Sequence, residues 1–214
     1  MTVRNVTVIN YGSGNLLSVS RALHRVGAKV TLSSDPRQVE HSDFIVLPGV
    51  GAFKQAMSEL ERLALIDPIR LAVRKGCQFL GICLGMQLLF DASEEFGESS
   101  GLELLSGRVI RLPSVSTNGD GMRIPHIGWN SLYAKTGGHS SINKIISLND
   151  EISVYFVHSF MVQPSNHDDI VAWCLYGGHE IPAIVSRNNI HGCQFHPEKS
   201  GSHGLQILSH FLTL

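Results

Sequence analysis

Strand-like and helix-like stretches alternate through the first 90 residues, which predicts an α/β fold: a mostly parallel central sheet with helices on both faces, three layers in all. Two further observations refine this. Residues 43–47 (DFIVL) and 78–82 (QFLGI) are continuous rather than alternating apolar runs, as strands buried on both faces require. The second half carries six strand-like runs with short connections, so an additional antiparallel portion is expected there. A chain of 214 residues suits one domain spanning 1–214.

The elements follow from pattern and punctuation. Residues 3–10 (VRNVTVIN) form a β-branched strand ending at Tyr11-Gly12-Ser13-Gly14; residues 15–26 then show helical apolar spacing and stop at Gly27. Strands are expected at 28–32 and 43–47, the latter ending at Pro48-Gly49-Val50-Gly51. Helices follow over 52–65 and from Asp67-Pro68 to residue 75, Pro68 being suited to a first turn. Residues 78–82 form the next buried strand, and 85–90 open a helix. Further strands are expected at 109–112, 131–134, 154–162, 171–176, 183–186 and 191–195, before a closing helix at 204–212. The polar run 114–121 (SVSTNGDG) is the expected site of disorder.

Composition excludes several classes. The net charge of −1 with 16% charged residues leaves no basic footprint for nucleic acid. Four cysteines without a CxxC pair indicate a reduced, intracellular chain. No apolar leader opens the sequence and no run is long enough to span a bilayer, so a soluble, cytoplasmic protein is expected.

The chemistry concentrates at Gly81-Ile82-Cys83-Leu84-Gly85, the cysteine form of a nucleophile elbow, in which a sharp strand-to-helix turn tolerates only small neighbours. Downstream, Gln194-Phe195-His196-Pro197-Glu198 supplies an imidazole and a carboxylate two residues apart. Together they make a candidate Cys83–His196–Glu198 triad. Cys83 at a helix N-terminus would be favoured as thiolate, His196 would shuttle the proton, and Glu198 would fix the imidazole tautomer. Attack on a carboxamide would then expel ammonia and leave a thioester for water to hydrolyse. The backbone N–H groups of Gly49, Val50 and Gly51, with that of Leu84, are expected to serve as oxyanion donors, each typically worth ~2.7–4 kcal/mol in the transition state.

Plainer readings compete. A lone cysteine is more often a buried structural residue, a His–Glu pair more often a strand-end salt bridge, and a Pro-Gly-Val-Gly turn by itself only a turn. Gly12-Ser13-Gly14 resembles a dinucleotide loop, but Leu17 stands where the third glycine belongs. Zinc held by His191, His196 and Glu198 lacks HExxH or paired-cysteine spacing. No cofactor and no metal are therefore expected. His24, His41, His139, His167, His179, His203 and His210 read as surface or capping residues.

Beyond these residues, the chain resembles the triad (class I) glutamine amidotransferase family, and within it the glutaminase subunits of imidazole glycerol phosphate synthase. The resemblance rests on residues 81–89 (GICLGMQLL), 48–53 (PGVGAF), 125–130 (PHIGWN), 155–160 (YFVHSF) and 196–200 (HPEKS), and runs end to end. It implies the three-layer fold of that family, glutamine as the substrate, and Gln87, Ser159 and Phe160 as holders of its α-amino and α-carboxylate groups. It implies a (β/α)₈-barrel cyclase as heterodimer partner in histidine biosynthesis, with ammonia passing between the subunits. It also implies that Tyr155, Lys199, His126, Gly128, Trp129 and Asn130 belong to the partner interface or ammonia gate. Plainer roles for Trp129 and Lys199 are a half-buried core indole and a solvated charge. In one departure, Asn10 stands where many relatives have aspartate. Other expectations remain open: a glutaminase paralogue serving another synthase such as a surface-polysaccharide sugar amidotransferase, a silent binding module of the same fold, or an esterase-like hydrolase using cysteine.

Overall fold

The computed structural model describes residues 3–135 and 152–214; the expectation for His139 lies outside them. The first half runs β1 (Asn5–Ile9), α1 (Leu16–Arg25), β2 (Lys29–Ser33), α2 (Pro36–Glu40), β3 (Phe44–Gly49), α3 (Phe53–Arg62), α4 (Ile66–Arg74), β4 (Gln78–Cys83) and α5 (Leu84–Gln87). The boundaries have local causes. The Asn15 side chain caps α1 by accepting from the Ser18 N–H at 3.3 Å, and Gly27, at φ +92°, takes the left-handed conformation that lets the chain leave. Helix α2 is absent from the sequence-based expectation; Asp35 caps it at 2.9 Å and Pro36 fills its first turn. The helix expected over 52–65 ends at Arg62, where Ala64 turns to φ +53° before α4 begins.

The second half runs β5 (Phe90–Ser93), β6 (Ser99–Ser100), β7 (Leu105–Arg111), β8 (His126–Ser131), β9 (Tyr133–Ala134), β10 (Ser153–His158), β11 (Phe160–Pro164), β12 (Ile170–Tyr176), β13 (His179–Arg187), β14 (Ile190–Cys193) and α6 (Gly201–Phe211). Strands β2, β1, β3, β4 and β14 lie parallel, and β13, β12 and β9 continue the same sheet antiparallel. Two smaller sheets, β10–β8 and β11–β7–β5–β6, complete the antiparallel portion, within which β5 and β7 alone pair parallel.

The continuous apolar strands serve two cores at once, because alternate residues point to opposite faces. Phe44, Val46, Leu80 and Ile82 pack on one face with Leu23 of α1 and Leu208 of α6. Ile45, Leu47 and Phe79 pack on the other with Leu60 of α3 and Ile69 of α4. Among the described residues no helix is long and apolar enough to cross a membrane.

Three expectations are corrected. The helix behind the elbow is a single turn, not residues 85–90. The carbonyls of Leu88 and Leu89, which would have to accept from the next turn, accept instead from Leu102, Leu104 and Leu105 at 2.8–2.9 Å. The run 154–162 is two strands broken at Ser159, one in each small sheet. Residues 114–121 form a bonded hairpin: Ser116 N–H reaches Asp120 O and Met122 N–H reaches Ser114 O, both at 2.8 Å, while Thr117 N–H anchors to Gly177 O at 2.9 Å.

Candidate active site

Cys83 ends β4 with φ +55° and ψ −110°, a backbone conformation that strains any residue with a Cβ. The turn closes because its neighbours lack side chains. A Cβ at Gly85 would fall on the carbonyl oxygen of Leu47 in β3, and one at Gly81 would lie 2.7 Å from Met86 N. With α5 reduced to one turn the macrodipole at Cys83 is small, so charge stabilisation of a thiolate rests on side chains.

The parallel register supplies them. β14 runs beside β4, pairing Cys193 with Ile82, and the chain continues into His196 and a 3₁₀ turn at Pro197–Lys199. The His196 Nδ1–H donates to Glu198 Oε1 at 2.8 Å, with the two side chains 3% and 1% exposed. His196 Nε2 is buried and makes no hydrogen bond, leaving it free to take a proton. Burial pushes this imidazole down, but the Cys83 sulfur and the Glu198 carboxylate outweigh it, and the pKa rises to about 9.

A cavity of about 310 Å³ opens over the sulfur, and Cys83 and His196 both line it. Of the residues expected around them, Val50, Gly51, Leu84, Gln87, Ser159 and Phe160 also line it. Gly49 lies just below, where a Cβ would meet the Tyr11 hydroxyl at 2.5 Å and Leu84 Cβ at 3.0 Å. The Gly12–Gly14 loop is a support for this wall: Ser13 Oγ donates to Val50 O at 2.5 Å and accepts from Val50 N–H at 3.3 Å. The Val50 amide, expected as an oxyanion donor, is therefore engaged. Leu84, as the first residue of α5, has an amide with no intrahelical acceptor.

Two cavity-side residues escape the sequence reading. Gln194 joins the substrate side to the nucleophile: its Oε1 accepts from Gln87 Nε2 at 3.0 Å and its Nε2 donates to Cys83 Sγ at 3.8 Å. Its signal is its place two residues before His196, just past the end of β14. Glu95 lines the cavity and accepts from Phe53 N–H at 2.7 Å, with no local signal to find it.

The residues expected on the partner side divide. Trp129 is 58% exposed and meets Tyr155 edge-on at 6.1 Å, while Lys199 Nζ stands 5.9 Å from the Tyr155 ring centroid. This outer group is coupled to the base, since the Tyr155 carbonyl accepts from His196 N–H at 2.9 Å. His126 is buried, so it sits beneath that surface and not on it; Gly128 and Asn130 are half-buried. His191 bonds Ser186 and Gln78 at the other end of β14, away from His196. His24, His41, His179 and His203 pair with backbone carbonyls.

The family model "Glutamine amidotransferase class-I" matches residues 7–214. The chain belongs to the class I glutamine amidotransferase family. Among curated relatives, the "Imidazole glycerol phosphate synthase subunit HisH 1" of Legionella pneumophila (strain Paris) is 48% identical over 98% of this chain and 99% of its own length. The corresponding HisH subunit of Geobacillus sp. (strain WCH70) is 44% identical over 98% of this chain and 96% of its own. Among solved structures, PurLQS from Thermotoga maritima superposes with a TM-score of 0.72 at 18% identity, covering 99% of each chain. A crystal structure described as a glutamine amidotransferase gives 0.71 at 18%, covering 97% of this chain and 99% of that one. Those two likenesses concern the fold of a class I glutamine amidotransferase.

Proposed function

We propose that this chain, acting as one domain in the cytoplasm, hydrolyses glutamine and delivers the ammonia to the cyclase subunit of imidazole glycerol phosphate synthase, a (β/α)₈ barrel, in a heterodimer. The observation that carries the reading is the meeting of Cys83 and the buried His196–Glu198 pair at one cavity of amino-acid size. The Cys83 thiolate attacks the side-chain carboxamide, and the resulting oxyanion takes hydrogen bonds from Leu84 N–H and, once it leaves Ser13 Oγ, the Val50 N–H of the 49–51 loop. His196 Nε2 returns its proton to the departing nitrogen, releasing ammonia and leaving a thioester on Sγ. The same nitrogen then draws a proton from water, whose hydroxide displaces the thiolate to give glutamate. Glu95 and Gln87 Oε1 suit the substrate's α-ammonium, while Ser159 and the Phe160 N–H suit its α-carboxylate end.

A partner follows from the product's chemistry. Neutral ammonia is the nucleophile, and in open water near neutral pH most of it is protonated, so a covered exit preserves reactivity. The exposed Ile127 and Trp129, with Tyr155 and Lys199 beside the base, supply a face for such a cover. The test is coupled turnover with glutamine or with ammonium salt, with and without the barrel subunit. Cys83→Ala is expected to abolish the glutamine-driven reaction and spare the ammonium-driven one. Glutamine hydrolysis at the normal rate in that variant, or equal glutaminase rates with and without the barrel, would overturn the reading. Complementation of a histidine auxotroph separates this partner from that of a paralogous synthase.

A further inference from the structure

Beneath the exposed face of β8 lies a run of polar side chains that the triad chemistry does not use. The β10–β8 register sets His158 opposite His126 and Val154 opposite Asn130. Alternation along β8 sends Ile127 and Trp129 outward, 59% and 58% exposed, while His126 turns inward. There the His126 ring is sandwiched between Phe156, at 4.9 Å and 21°, and Tyr176, at 4.0 Å and 25°. His126 Nδ1 lies 3.0 Å from His158 Nε2, His158 Nδ1 lies 2.8 Å from Phe160 O, and Asn130 Nδ2 lies 3.4 Å from His126 Nε2.

The direction of each bond is fixed by its ends. A carbonyl oxygen only accepts, so His158 Nδ1 carries the proton that Phe160 O receives. In a neutral imidazole Nε2 is then the acceptor, and His126 Nδ1 must donate to it. His126 Nε2 in turn accepts from Asn130. The Asn130 amide has no freedom to reverse, because its Nδ2 donates to Leu175 O at 2.8 Å and its Oδ1 accepts from Ser131 N–H at 2.9 Å. Burial keeps both rings neutral, lowering His158 to about 3 and His126 to about 4. Phe160 O takes a second donor, Gln87 Nε2, at 3.1 Å, and Gln87 continues through Gln194 to the Cys83 sulfur. One directed run therefore ends on this carbonyl at the wall of the cavity, and Gln87, which also donates to it, starts a second run that ends on the sulfur.

We infer that Asn130, His126 and His158 are positioning residues whose one-way hydrogen bonds tie the exposed face of β8 to the Ser159–Phe160 wall of the glutamine cavity. The inference rests on the proposed function, in which a partner presses on Ile127 and Trp129. A single strand carries the pressed residues on one face and His126 on the other, so displacing β8 moves the donor to His158. His158 in turn bonds the carbonyl that also seats Gln87.

The test begins with ¹⁵N NMR of histidine tautomers in the unmodified chain. Both His126 and His158 are expected in the Nδ1–H form, the minority tautomer of free histidine. An Nε2–H tautomer or an imidazolium at either ring at neutral pH would overturn the direction of the chain. His126→Phe keeps an aromatic ring between Phe156 and Tyr176 but removes the donor, so the His158 Nε2 resonance should shift toward that of an unbonded lone pair. With the barrel subunit present, KM for glutamine should rise about tenfold, the change expected for one lost hydrogen bond, with kcat altered far less. His126→Asn, which offers an N–H near the Nδ1 position, should recover much of that loss. Unchanged KM and stimulation in His126→Phe would overturn the positioning role. Absence of glutaminase in the unmodified complex would count against the proposed function instead, leaving the tautomers to decide the chain.

Discussion

Glu198→Gln isolates the charge of the buried pair from its shape. The amide can still accept from His196 Nδ1–H, now 2.8 Å from Oε1, but it carries no charge. The rise of the imidazole from its ordinary 6.5 to about 9 corresponds to roughly 3 kcal/mol at ~1.36 kcal/mol per pH unit. Burial opposes that rise, while Cys83 and Glu198 share in producing it, so loss of the carboxylate should return the ring to 6.5 or below. The sign follows from linkage. A group with a raised folded-state pKa stabilises fully below its unfolded value and loses that contribution as pH climbs through the folded one. The native chain should therefore hold about 3 kcal/mol from this source at pH 6, somewhat less at pH 7 and little above pH 9.5. Urea unfolding of both proteins across this range should give curves separated by about 3 kcal/mol at pH 6 that converge by pH 9.5, in line with the cost of breaking a buried pair. Glutaminase kcat/KM at pH 7 should fall roughly 10²-fold or more, because the base loses its orienting charge. Parallel stability curves at all pH values would refute the argument.

Three further perturbations test other parts of the site. Gly85→Ala places a Cβ on the backbone carbonyl of Leu47, which cannot retreat without opening β3, so a loss above about 4 kcal/mol is expected in urea unfolding. Ser13→Ala releases the Val50 amide and should raise partner-free glutaminase about fivefold to tenfold, the worth of about one hydrogen bond; an unchanged rate would refute the clamp. Trp129→Ala should weaken partner binding about 30-fold by titration calorimetry, the loss of an aromatic anchor, with an unchanged melting temperature because the indole is largely exposed.

How much of this was legible depended on whether each decision is made locally. The elbow is local in sequence: Gly81 and Gly85 stand two residues either side of Cys83, although the carbonyl that forbids a side chain at Gly85 belongs to Leu47 of β3, and the His-Pro-Glu run keeps base and orienter together whatever surrounds them. The paired cores were legible because unbroken apolar runs have one reading, a strand buried on both sides. The length of α5 was not local, since the amides of residues 102–105 capture the carbonyls that would continue it. Glu95 reaches the cavity only through the β5–β6 hairpin, whose pairing spans both sides of it. Between these extremes lie Gln194 and His126, where a local rule existed. Alternation along a strand sets His126 behind Ile127 and Trp129, and Gln194 stands just past the end of β14 on the way to His196. Alternation divides the 126–130 segment between the surface and the interior. Its consequence is functional: a strand that offers one face to a partner and the other to the interior can carry a displacement that a loop of the same composition would absorb.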